Sequence, residues 1–448
     1  MAALFSCTNK PGEAGETTAF TPPKFTLTAT DTFHFNNFVD CNMAEAWIGD
    51  TFRIFPGKYG EDPLWGDARD LKFASGRHAD EAFSSLASAF TEPRMPANVP
   101  TGQPGLHGAV WFETVYQDAR DASGRTLYAI YHNENSPATL PYAPATGEGY
   151  VDHRWPTGLT GPQSPAAVPR IGVMKSTDGG WSWDNKGLFL EDKQPRMILK
   201  PFNTSLTFAG GVGDPSAVAH GDYLYLFYGE YGYPGVYDST AYDRKTEWSG
   251  QCISVARIRI SDLDNPQGKG FRWDGQGFNA PWDGIGKPVA SLQIPVEDGG
   301  GPASSPTGGF HWGPSVSWNT YLNCWVMLMG KVTGPKWDGS SLYISFNPHQ
   351  DLGTARDADH QHGAVAVASR QHIVLGMARH HRRLRRQRRQ HCGLLAHRPV
   401  LAGERPQDHA VRSRGRKEAP ARAPRHRAHA RGIAGHAHVA RIRQPPAV

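Results

Sequence analysis

The chain has 448 residues, with 50 Gly, 35 Pro and an aromatic content of 11%. It lacks the long leucine-rich amphipathic segments of a helix bundle, so the composition excludes that class and favours many short strands joined by turns. The net charge of +5 combines two unlike parts. Residues 351–448 hold 20 Arg, one Lys and six acids, or about +15, whereas residues 1–350 carry about −10. We therefore interpret the acidic body and the basic tail separately.

Residues 1–39 are interpreted as an N-terminal extension. The opening MAALFSC ends a short apolar run at Cys7, which resembles the end of a bacterial lipoprotein signal and predicts an extracytoplasmic protein, secreted or lipid-anchored. The charged part and most of the apolar part of such a signal are missing, and an ordinary N-terminus is the alternative. No apolar stretch in the sequence is long enough to span a membrane. Cys41, Cys252 and Cys324 lack metal-binding spacing, which predicts buried free thiols and no metal site.

Residues 40–350 repeat one plan, in which a short strand entered through Gly is followed by a turn and an aromatic-rich strand. Apolar and polar residues alternate with period two in these paired runs, as in half-buried strands. Gly-Asp and Ser-Gly dipeptides between the runs supply the turns of hairpins. The four segments with this plan are 43–60, 106–135, 211–232 and 311–332. Repeated antiparallel sheets of four strands indicate an all-β protein, a β-propeller.

One short motif supports the propeller. Residues 176–183, STDGGWSW, match the pattern S-x-D-x-G-x-[ST]-W. We expect Asp178 to accept hydrogen bonds within a tight turn, Gly180 to adopt a backbone conformation that other residues resist, and Trp183 to pack between sheets. The motif resembles the Asp-boxes of sialidases and other propeller glycosidases, and this resemblance implies a structural hairpin. A catalytic role for Asp178 is the alternative.

A second resemblance lies in GVGDPSAVAHGDYLYLFYGEY, residues 211–231, which is similar to the blade-opening pattern of five-bladed propeller glycosidases of the family 43 type. It implies five blades, the last of them incomplete here, and axial acids that serve as base, pKa modulator and acid. It also implies inversion at the anomeric carbon and no cofactor, with room for a structural Ca²⁺ in the central channel. The Arg-Asp-Pro and Glu-Gly-Pro elements of that family are not found in the first and third blades.

The candidate catalytic residues are acids near the ends of strands. Glycosidic cleavage needs one protonated carboxyl group, which gives its proton to the leaving oxygen. It also needs one ionised carboxylate, which activates a water molecule or attacks the carbon. Asp214 is the leading candidate, as base or modulator, with a turn cap as the alternative. Glu230 and Glu134 end the second strands of two repeats and could instead pair with Arg at a blade edge. Glu113 lies in an otherwise apolar inner strand and needs a partner there, and Glu45 occupies the corresponding part of the first repeat.

The candidate substrate-binding residues are His107, Trp111, Tyr231 and Trp312, which neighbour these acids. Aromatic faces stack on sugar rings and His can hold a hydroxyl group, while ordinary packing within the blades is the alternative. The sequence thus predicts a monomeric glycoside hydrolase that acts on an oligo- or polysaccharide. The alternatives are a non-catalytic propeller that binds sugar or protein, since fold does not fix function, and an inactive product of a damaged gene.

The tail, residues 351–448, differs in kind from the body. No Phe, Trp or Tyr follows Phe346, and 12 of the 20 His lie in this segment. It cannot bury enough apolar surface to offset its chain entropy, so we predict disorder. Out-of-frame reading of a GC-rich gene yields mostly Ala, Arg, Gly, Pro and His, which predicts a frameshift near residues 353–356. A nucleic-acid-binding arm is the less favoured alternative, and we expect no nucleic-acid partner.

Overall fold

A computed structural model of the protein describes most of the repeating body. The described residues are 26–35, 42–60, 68–69, 71–86, 88–97, 108–134, 142–143, 148–149, 169–192, 197–198, 211–231, 237–238, 252–289, 292, 310–333, 338–348, 352, 365–368, 393–394 and 435–443. Within these ranges the chain is almost wholly strand and turn, with one α-helix, α1 (Ala79–Ser85), and one 3-10 turn (Ile260–Asp262).

The strands are short and follow one another closely along the chain. In chain order they begin with β1 (Thr26–Phe35), β2 (Glu45–Ile48), β3 (Thr51–Ile54), β4 (Lys58–Gly60), β5 (Ala68–Arg69), β6 (Ala74–Gly76), β7 (Ala109–Gln117), β8 (Leu127–Glu134), β9 (Tyr142–Ala143), β10 (Glu148–Gly149), β11 (Arg170–Ser176), β12 (Asp184–Leu190) and β13 (Met197–Ile198). They continue with β14 (Val212–His220), β15 (Tyr223–Glu230), β16 (Tyr237–Asp238), β17 (Cys252–Arg259), β18 (Phe271–Arg272), β19 (Ala280–Pro281), β20 (Phe310–Asn319), β21 (Cys324–Thr333), β22 (Asp338–Asn347), β23 (Val365–Ala368), β24 (Gly393–Leu394) and β25 (Gly435–Arg443).

Four antiparallel sheets form the blades of a β-propeller. Blade 1 has the strand order β2-β3-β6, and blade 2 has β12-β11-β8-β7-β4-β5. Blade 3 has the order β14-β15-β17-β18-β19, and blade 4 has β20-β21-β22-β23. The prediction of an all-β propeller is therefore confirmed. The prediction of five blades is wrong for the described residues, which form four, one for each of the four repeats in the sequence.

Three smaller sheets accompany the blades. They have the orders β1-β25-β24, β9-β10 and β13-β16, the last being parallel. The fourth strand of blade 4, β23, comes from residues 365–368 and pairs with β22. This strand lies beyond residue 350, where the sequence predicted that the propeller ends. The described residues do not include Cys7 and Cys41 or most of the remaining tail. The predictions of a lipoprotein signal and of a frameshift therefore stay predictions.

Local chemistry explains how the strands are paired. In blade 3, His220 pairs with Tyr223 across a two-residue turn whose Gly221 has φ +56°, a value that Gly adopts without cost. In blade 2, the carboxylate of Asp121 accepts backbone N–H bonds from Ser123 at 2.9 Å and Thr126 at 2.8 Å. The Ser123 hydroxyl also donates to this carboxylate at 2.8 Å. The bond from this hydroxyl first, and then the two backbone bonds, hold the pKa of Asp121 below its ordinary value, and together they form the turn between β7 and β8.

Apolar clusters fill the spaces between neighbouring blades. One joins blades 1 and 2, a second joins blades 2 and 3, and a third joins blades 3 and 4. Their fully buried members include Phe55, Phe112, Ile130, Leu226 and Met327. Burying a side chain of this size contributes about 1.5–3 kcal/mol, so the contacts between sheets fix how the inner strands of successive blades are arranged.

The Asp-box motif ties blade 2 to blade 1. Asp178 accepts hydrogen bonds from the Ser176 hydroxyl at 2.7 Å and the Ser182 hydroxyl at 2.6 Å. Burial alone would raise the pKa of Asp178, but the hydrogen bonds from Ser182 and Ser176 outweigh it and hold the pKa below its ordinary value. Trp183 packs edge-on against Phe112, with ring centroids 4.8 Å apart, and against Phe55 at 5.6 Å. These contacts match the structural role expected of the motif.

Two further predictions concern thiols and membranes. Cys252 and Cys324 are buried free thiols, as predicted. Burial raises the pKa of the Cys324 thiol to about 11, so this thiol stays protonated and unreactive near neutral pH. No helix in the described part of the chain is long and apolar enough to cross a membrane.

Candidate active site

A β-bulge recurs in the inner part of three blades. The register of β7 against β8 shifts between Phe112 and Thr114, and that of β14 against β15 shifts between Gly213 and Ser216. The register of β20 against β21 shifts between Trp312 and Ser315. Bulges turn a side chain away from the regular alternation and occur often beside functional sites.

Two of these bulges carry acids, Glu113 in blade 2 and Asp214 in blade 3. Asp214 has φ +46°, and Gly313, within the bulge of blade 4, has φ +60°. Asp is one of the few residues other than Gly that tolerate this left-handed region, and such a conformation costs about 1–3 kcal/mol. The strain at Asp214 therefore marks a position where a carboxylate is held in a particular direction.

Asn42 connects the bulges to blade 1. Its backbone N–H donates to Glu113 Oε2 at 2.7 Å. Its side-chain amide donates at 3.3 Å to the backbone carbonyls of Pro215, from blade 3, and Pro314, from blade 4. Segments of all four blades thus meet around Asn42, and this meeting point defines the propeller axis.

The two bulge acids lie together with one histidine from β8. Nδ1 of His132 is 3.8 Å from Glu113 Oε1 and 3.6 Å from Asp214 Oδ1. One donor atom from each of the three residues lies within 4.8 Å of the other two. The relative exposures are 1% for Glu113, 1% for His132 and 4% for Asp214. We call these three residues the axial cluster.

Two aromatic residues hold the outer oxygen of Asp214. The Tyr231 hydroxyl and the Trp312 indole N–H both donate to Asp214 Oδ2, the latter at 2.6 Å. Burial first, and then the charge of Asp214, raises the pKa of Tyr231 well above its ordinary value, so Tyr231 remains a proton donor. Because both donors stabilise negative charge on Oδ2, Asp214 is suited to remain ionised.

Close packing beside Asp214 fixes these neighbours. A Cβ added at Gly213 would lie 2.5 Å from His132 Nε2 and 2.6 Å from the Tyr231 hydroxyl oxygen. Only Gly leaves room at this position for both side chains to reach the axial cluster.

Glu134 and Trp111 lie near the axial cluster. The Trp111 indole N–H donates to Glu134 Oε2 at 3.0 Å, and Lys58 Nζ lies 5.8 Å from the centroid of the Trp111 ring. The charge of Glu134 contributes to the raised pKa of Tyr231, so this carboxylate is close to the aromatic clamp on Asp214. Glu134 is partly exposed, unlike the three residues of the cluster.

Glu230 has a different environment. Its Oε2 accepts a hydrogen bond from Arg272 at 3.0 Å, and Arg272 lies 3.3 Å from Asp192 Oδ1. Burial alone would lower the pKa of Arg272, but Tyr228, Glu230 and Asp192 outweigh it and raise the pKa. The three charged side chains are fully shielded from solvent, so we name Glu230, Arg272 and Asp192 the buried ion cluster. Glu230 thus pairs with Arg, the alternative that the sequence left open.

The remaining candidates from the sequence are Glu45 and His107. Glu45 lies on β2 opposite Ile54, three residues after Asn42, and is not a member of the axial cluster. His107 lies outside the described residues. Asn42 and His132 are not among the site residues predicted from the sequence. For His132 a signal existed, because it faces Trp111 across the β7–β8 pair and precedes Glu134 by two residues, on the same side of the strand.

Among the residues that the structure describes, the axial cluster is a group that could hold a metal ion. Ca²⁺, which the family resemblance allows, takes six to eight oxygen ligands. Here one donor is an imidazole nitrogen, Glu113 Oε2 accepts the Asn42 N–H, and Asp214 Oδ2 accepts two protein donors. The donor set of this cluster therefore does not fit Ca²⁺, and no step of the proposed chemistry involves that ion.

Comparisons with known proteins establish no relationship. No family model matches the sequence, and no curated protein matches it. The α-L-arabinofuranosidase of Fusarium graminearum in complex with an iminosugar inhibitor is 9% identical, with a TM-score of 0.36 over 77% of this chain and 71% of that chain. The α-L-arabinanase of Cellvibrio cellulosa complexed with arabinohexaose is 13% identical, with a TM-score of 0.36 over 76% and 82%.

A third structure, the α-L-arabinofuranosidase of Lactobacillus brevis, is 10% identical, with a TM-score of 0.37 over 74% of this chain and 73% of that chain. Likeness at this level says nothing about substrate or catalytic residues. The strand pairing itself establishes the architecture: the chain is an antiparallel β-propeller with four described blades.

Proposed function

We propose that the axial cluster is the active site of a glycoside hydrolase that cleaves oligo- or polysaccharides. The observation that carries this proposal is the meeting of Glu113 and Asp214, which come from different blades, with carboxylate oxygens within 4.8 Å of each other. Repulsion between two adjacent buried carboxylates disfavours two negative charges at once, so one of the two groups tends to stay protonated. That pairing supplies the acid and the base that glycosidic cleavage needs.

The hydrogen bonds assign the two roles. Asp214 Oδ2 accepts bonds from Tyr231 and Trp312, which stabilise its ionised form, so Asp214 acts as the nucleophile or base. Glu113 is the more deeply buried acid, and burial disfavours the charged form of a carboxyl group, so it carries the proton for the leaving oxygen on Oε1, since Oε2 accepts the backbone N–H of Asn42. A substrate would approach from the side of Glu134, because this acid is the most exposed of the three.

Stereochemistry depends on the separation of the two carboxyl groups. Retaining enzymes hold these groups about 5–5.5 Å apart, whereas inverting enzymes separate them by about 6.5–9.5 Å to leave room for water. The 4.8 Å limit applies to one oxygen of Glu113 and one of Asp214 and not to the carboxyl groups as wholes. We propose inversion, which the family resemblance of the sequence implies.

Tyr231 and Trp312 take a role other than the sugar stacking expected from the sequence. Both are buried and direct their polar hydrogens at Asp214, so they position the carboxylate. Trp111, whose N–H binds Glu134, orients the third acid in the same way.

A second function is favoured by one observation. Glu113 and Asp214 are only 1% and 4% exposed, which suits a polar network that fixes the axis of a non-catalytic propeller that binds sugar or protein. In that case amide variants of the two acids would lower stability without removing any activity. We also propose a monomeric protein located outside the cytoplasm, where a polymeric sugar is encountered without crossing a membrane.

The test of the proposed function is hydrolysis by the full chain. Arabinohexaose, the ligand of one similar structure, and a panel of 4-nitrophenyl glycosides serve as substrates. Wild type should release sugar, and Asp214→Asn and Glu113→Gln should each lose about 10²–10⁴-fold in kcat. Asp222→Asn, in the exposed turn of the same blade, is the matched control and should remain active. A wild type inactive on all substrates, or full activity in Asp214→Asn, would refute the proposal.

A further inference from the structure

A residue with a side-chain hydroxyl group follows each of the three bulges. Strand pairing resumes at Thr114 in blade 2, at Ser216 in blade 3 and at Ser315 in blade 4. The three residues therefore occupy equivalent positions in successive blades. A hydroxyl oxygen can accept a hydrogen bond from a backbone N–H group, so this position offers the same acceptor in each of the three blades.

Two of these hydroxyl groups connect neighbouring blades. The Ala217 N–H of blade 3 donates to Thr114 Oγ1 of blade 2 at 3.2 Å, and the Val316 N–H of blade 4 donates to Ser216 Oγ of blade 3 at 3.0 Å. Both donors are buried. They lie on β14 and β20, the edge strands of their sheets, and an edge strand presents N–H groups that its own sheet does not pair. Each hydroxyl group thus accepts a buried N–H from the next blade in chain order.

The bond between Thr114 and Ala217 lies close to the two acids along both strands. Thr114 directly follows Glu113 on β7, and Ala217 lies three residues after Asp214 on β14. Consecutive Cα atoms are about 3.8 Å apart, so this bond joins the two acid-bearing segments within a few residues of each carboxylate. The corresponding bond between blades 3 and 4 leads to a bulge that carries no acid.

The geometry of a reaction makes such a bond relevant to turnover. Catalytic groups must be held within about 0.5 Å of their productive positions, and a misplacement of about 1 Å can cost 10²-fold in rate. The φ of +46° at Asp214 is a strained conformation, which persists only where the surrounding structure maintains it. The bond from Ala217 to Thr114 is one such contact, because it holds the strand of Asp214 against the strand of Glu113.

We propose that Thr114 is a positioning residue of the active site, whose hydroxyl group sets the separation of the Glu113 and Asp214 carboxyl groups by anchoring Ala217. Thr suits this task, because the two heavy atoms on its Cβ restrict χ1 and so limit the directions in which the hydroxyl group can point. The effect on turnover rests on the proposed function, whereas the separation of the two carboxyl groups does not depend on any reaction.

The kinetic experiment compares Thr114→Val, which removes the acceptor, with Thr114→Ser, which keeps it. The substrates are arabinohexaose and the 4-nitrophenyl glycosides, and Thr51→Val, at the start of β3 in blade 1, is the matched control. Thr114→Val should lower kcat about 10- to 100-fold with KM within about twofold of the wild type. Thr114→Ser should restore most of the loss, and the control should keep the kcat of the wild type. Unchanged kcat in Thr114→Val, an equally large loss in Thr114→Ser, or a change confined to KM would overturn the proposal.

Crystal structures of the wild type and the two Thr114 variants measure the positioning without any sugar. The distance between the carboxyl carbons of Glu113 and Asp214 should change by about 0.5 Å or more in Thr114→Val and should keep its wild-type value in Thr114→Ser. If Thr114→Val does not fold, Thr114→Ala takes its place. Equal distances in the wild type and the variant without a hydroxyl group would overturn the proposal. A chain that cleaves no sugar but shows this change would uphold the inference about geometry while refuting the proposed function.

Discussion

The buried ion cluster offers a sharp test of what holds blades 2 and 3 together. Arg272 lies between Glu230 at 3.0 Å and Asp192 at 3.3 Å, and its guanidinium also donates to the backbone carbonyls of Glu191 at 2.6 Å and Trp282 at 3.0 Å. Arg272→Met would remove this cation from two buried carboxylates and this donor from two carbonyls. Removing one partner of a buried ion pair costs about 3–5 kcal/mol, and we expect a loss of at least that size.

The assay is the free energy of unfolding in urea for wild type and Arg272→Met. The matched control is Lys175→Met, which removes an ion pair between Lys175 and Asp264 at 2.7 Å that is open to solvent. Exposed pairs contribute about 0–1 kcal/mol, so the free energy of unfolding of the control should be close to that of the wild type. If Arg272→Met lost less than about 1 kcal/mol, the assignment of the ion cluster as an interblade tie would be refuted, because such a value is typical of an exposed pair.

Three further predictions concern the axis and the Asp-box turn. Tyr231→Phe should lower kcat about 10- to 100-fold with little change in KM, because a hydrogen bond to a charged group contributes about 1.5–3 kcal/mol; unchanged kcat would exclude a positioning role. Gly213→Ala should reduce turnover by displacing His132. The control is Gly330→Ala, whose added Cβ would meet its nearest atom at 3.7 Å, and this variant should keep the turnover of the wild type. Equal turnover in the two variants would contradict the packing described at Gly213. The pKa of Asp178 is depressed in the folded state, so its contribution to stability is present above about pH 4 and is lost as the pH falls through the folded-state value. Melting temperatures measured from pH 2.5 to 6 should therefore fall less steeply in Asp178→Asn than in wild type, and equal slopes would contradict this role.

The repeats in the sequence predicted the number of blades correctly for the described residues, whereas the resemblance to five-bladed propeller glycosidases did not. The segments 43–60, 106–135, 211–232 and 311–332 contain the first hairpins of blades 1 to 4. The expectation of five blades came from the family pattern instead. Repeats report the architecture directly because each one is a supersecondary unit that must stack on its neighbours.

Repetition also explains why Glu113 and Asp214 could be paired from sequence. Equivalent bulges in successive blades point at one axis, so acids in those bulges meet despite being far apart along the chain. Asn42 could not be found in this way. Its side chain contacts the backbone carbonyls of Pro215 and Pro314, and its contact with the Glu113 carboxylate is made by its backbone N–H, so these contacts leave no pattern of residue types.

Glu230 shows where strand position alone misleads. Side chains alternate across a strand, so Glu230 shares a face with Tyr228, which packs in the cluster between blades 2 and 3. The next residue, Tyr231, contacts Asp214 instead. Glu230 is the last residue of β15 and Tyr231 follows it directly, so a difference of one position decides whether a side chain lies between the blades or at the axis.

The central claim is that Glu113 and Asp214, contributed by separate blades, act as one catalytic pair. The most direct measurement is a double-mutant cycle on kcat for glycoside cleavage, with Glu113→Gln, Asp214→Asn and the double variant. Residues that act as a unit give grossly non-additive losses, so the double variant should be about as slow as the slower single variant. Losses that multiply, with the double variant slower by the product of the two single effects, would show that the acids act independently and would contradict the claim.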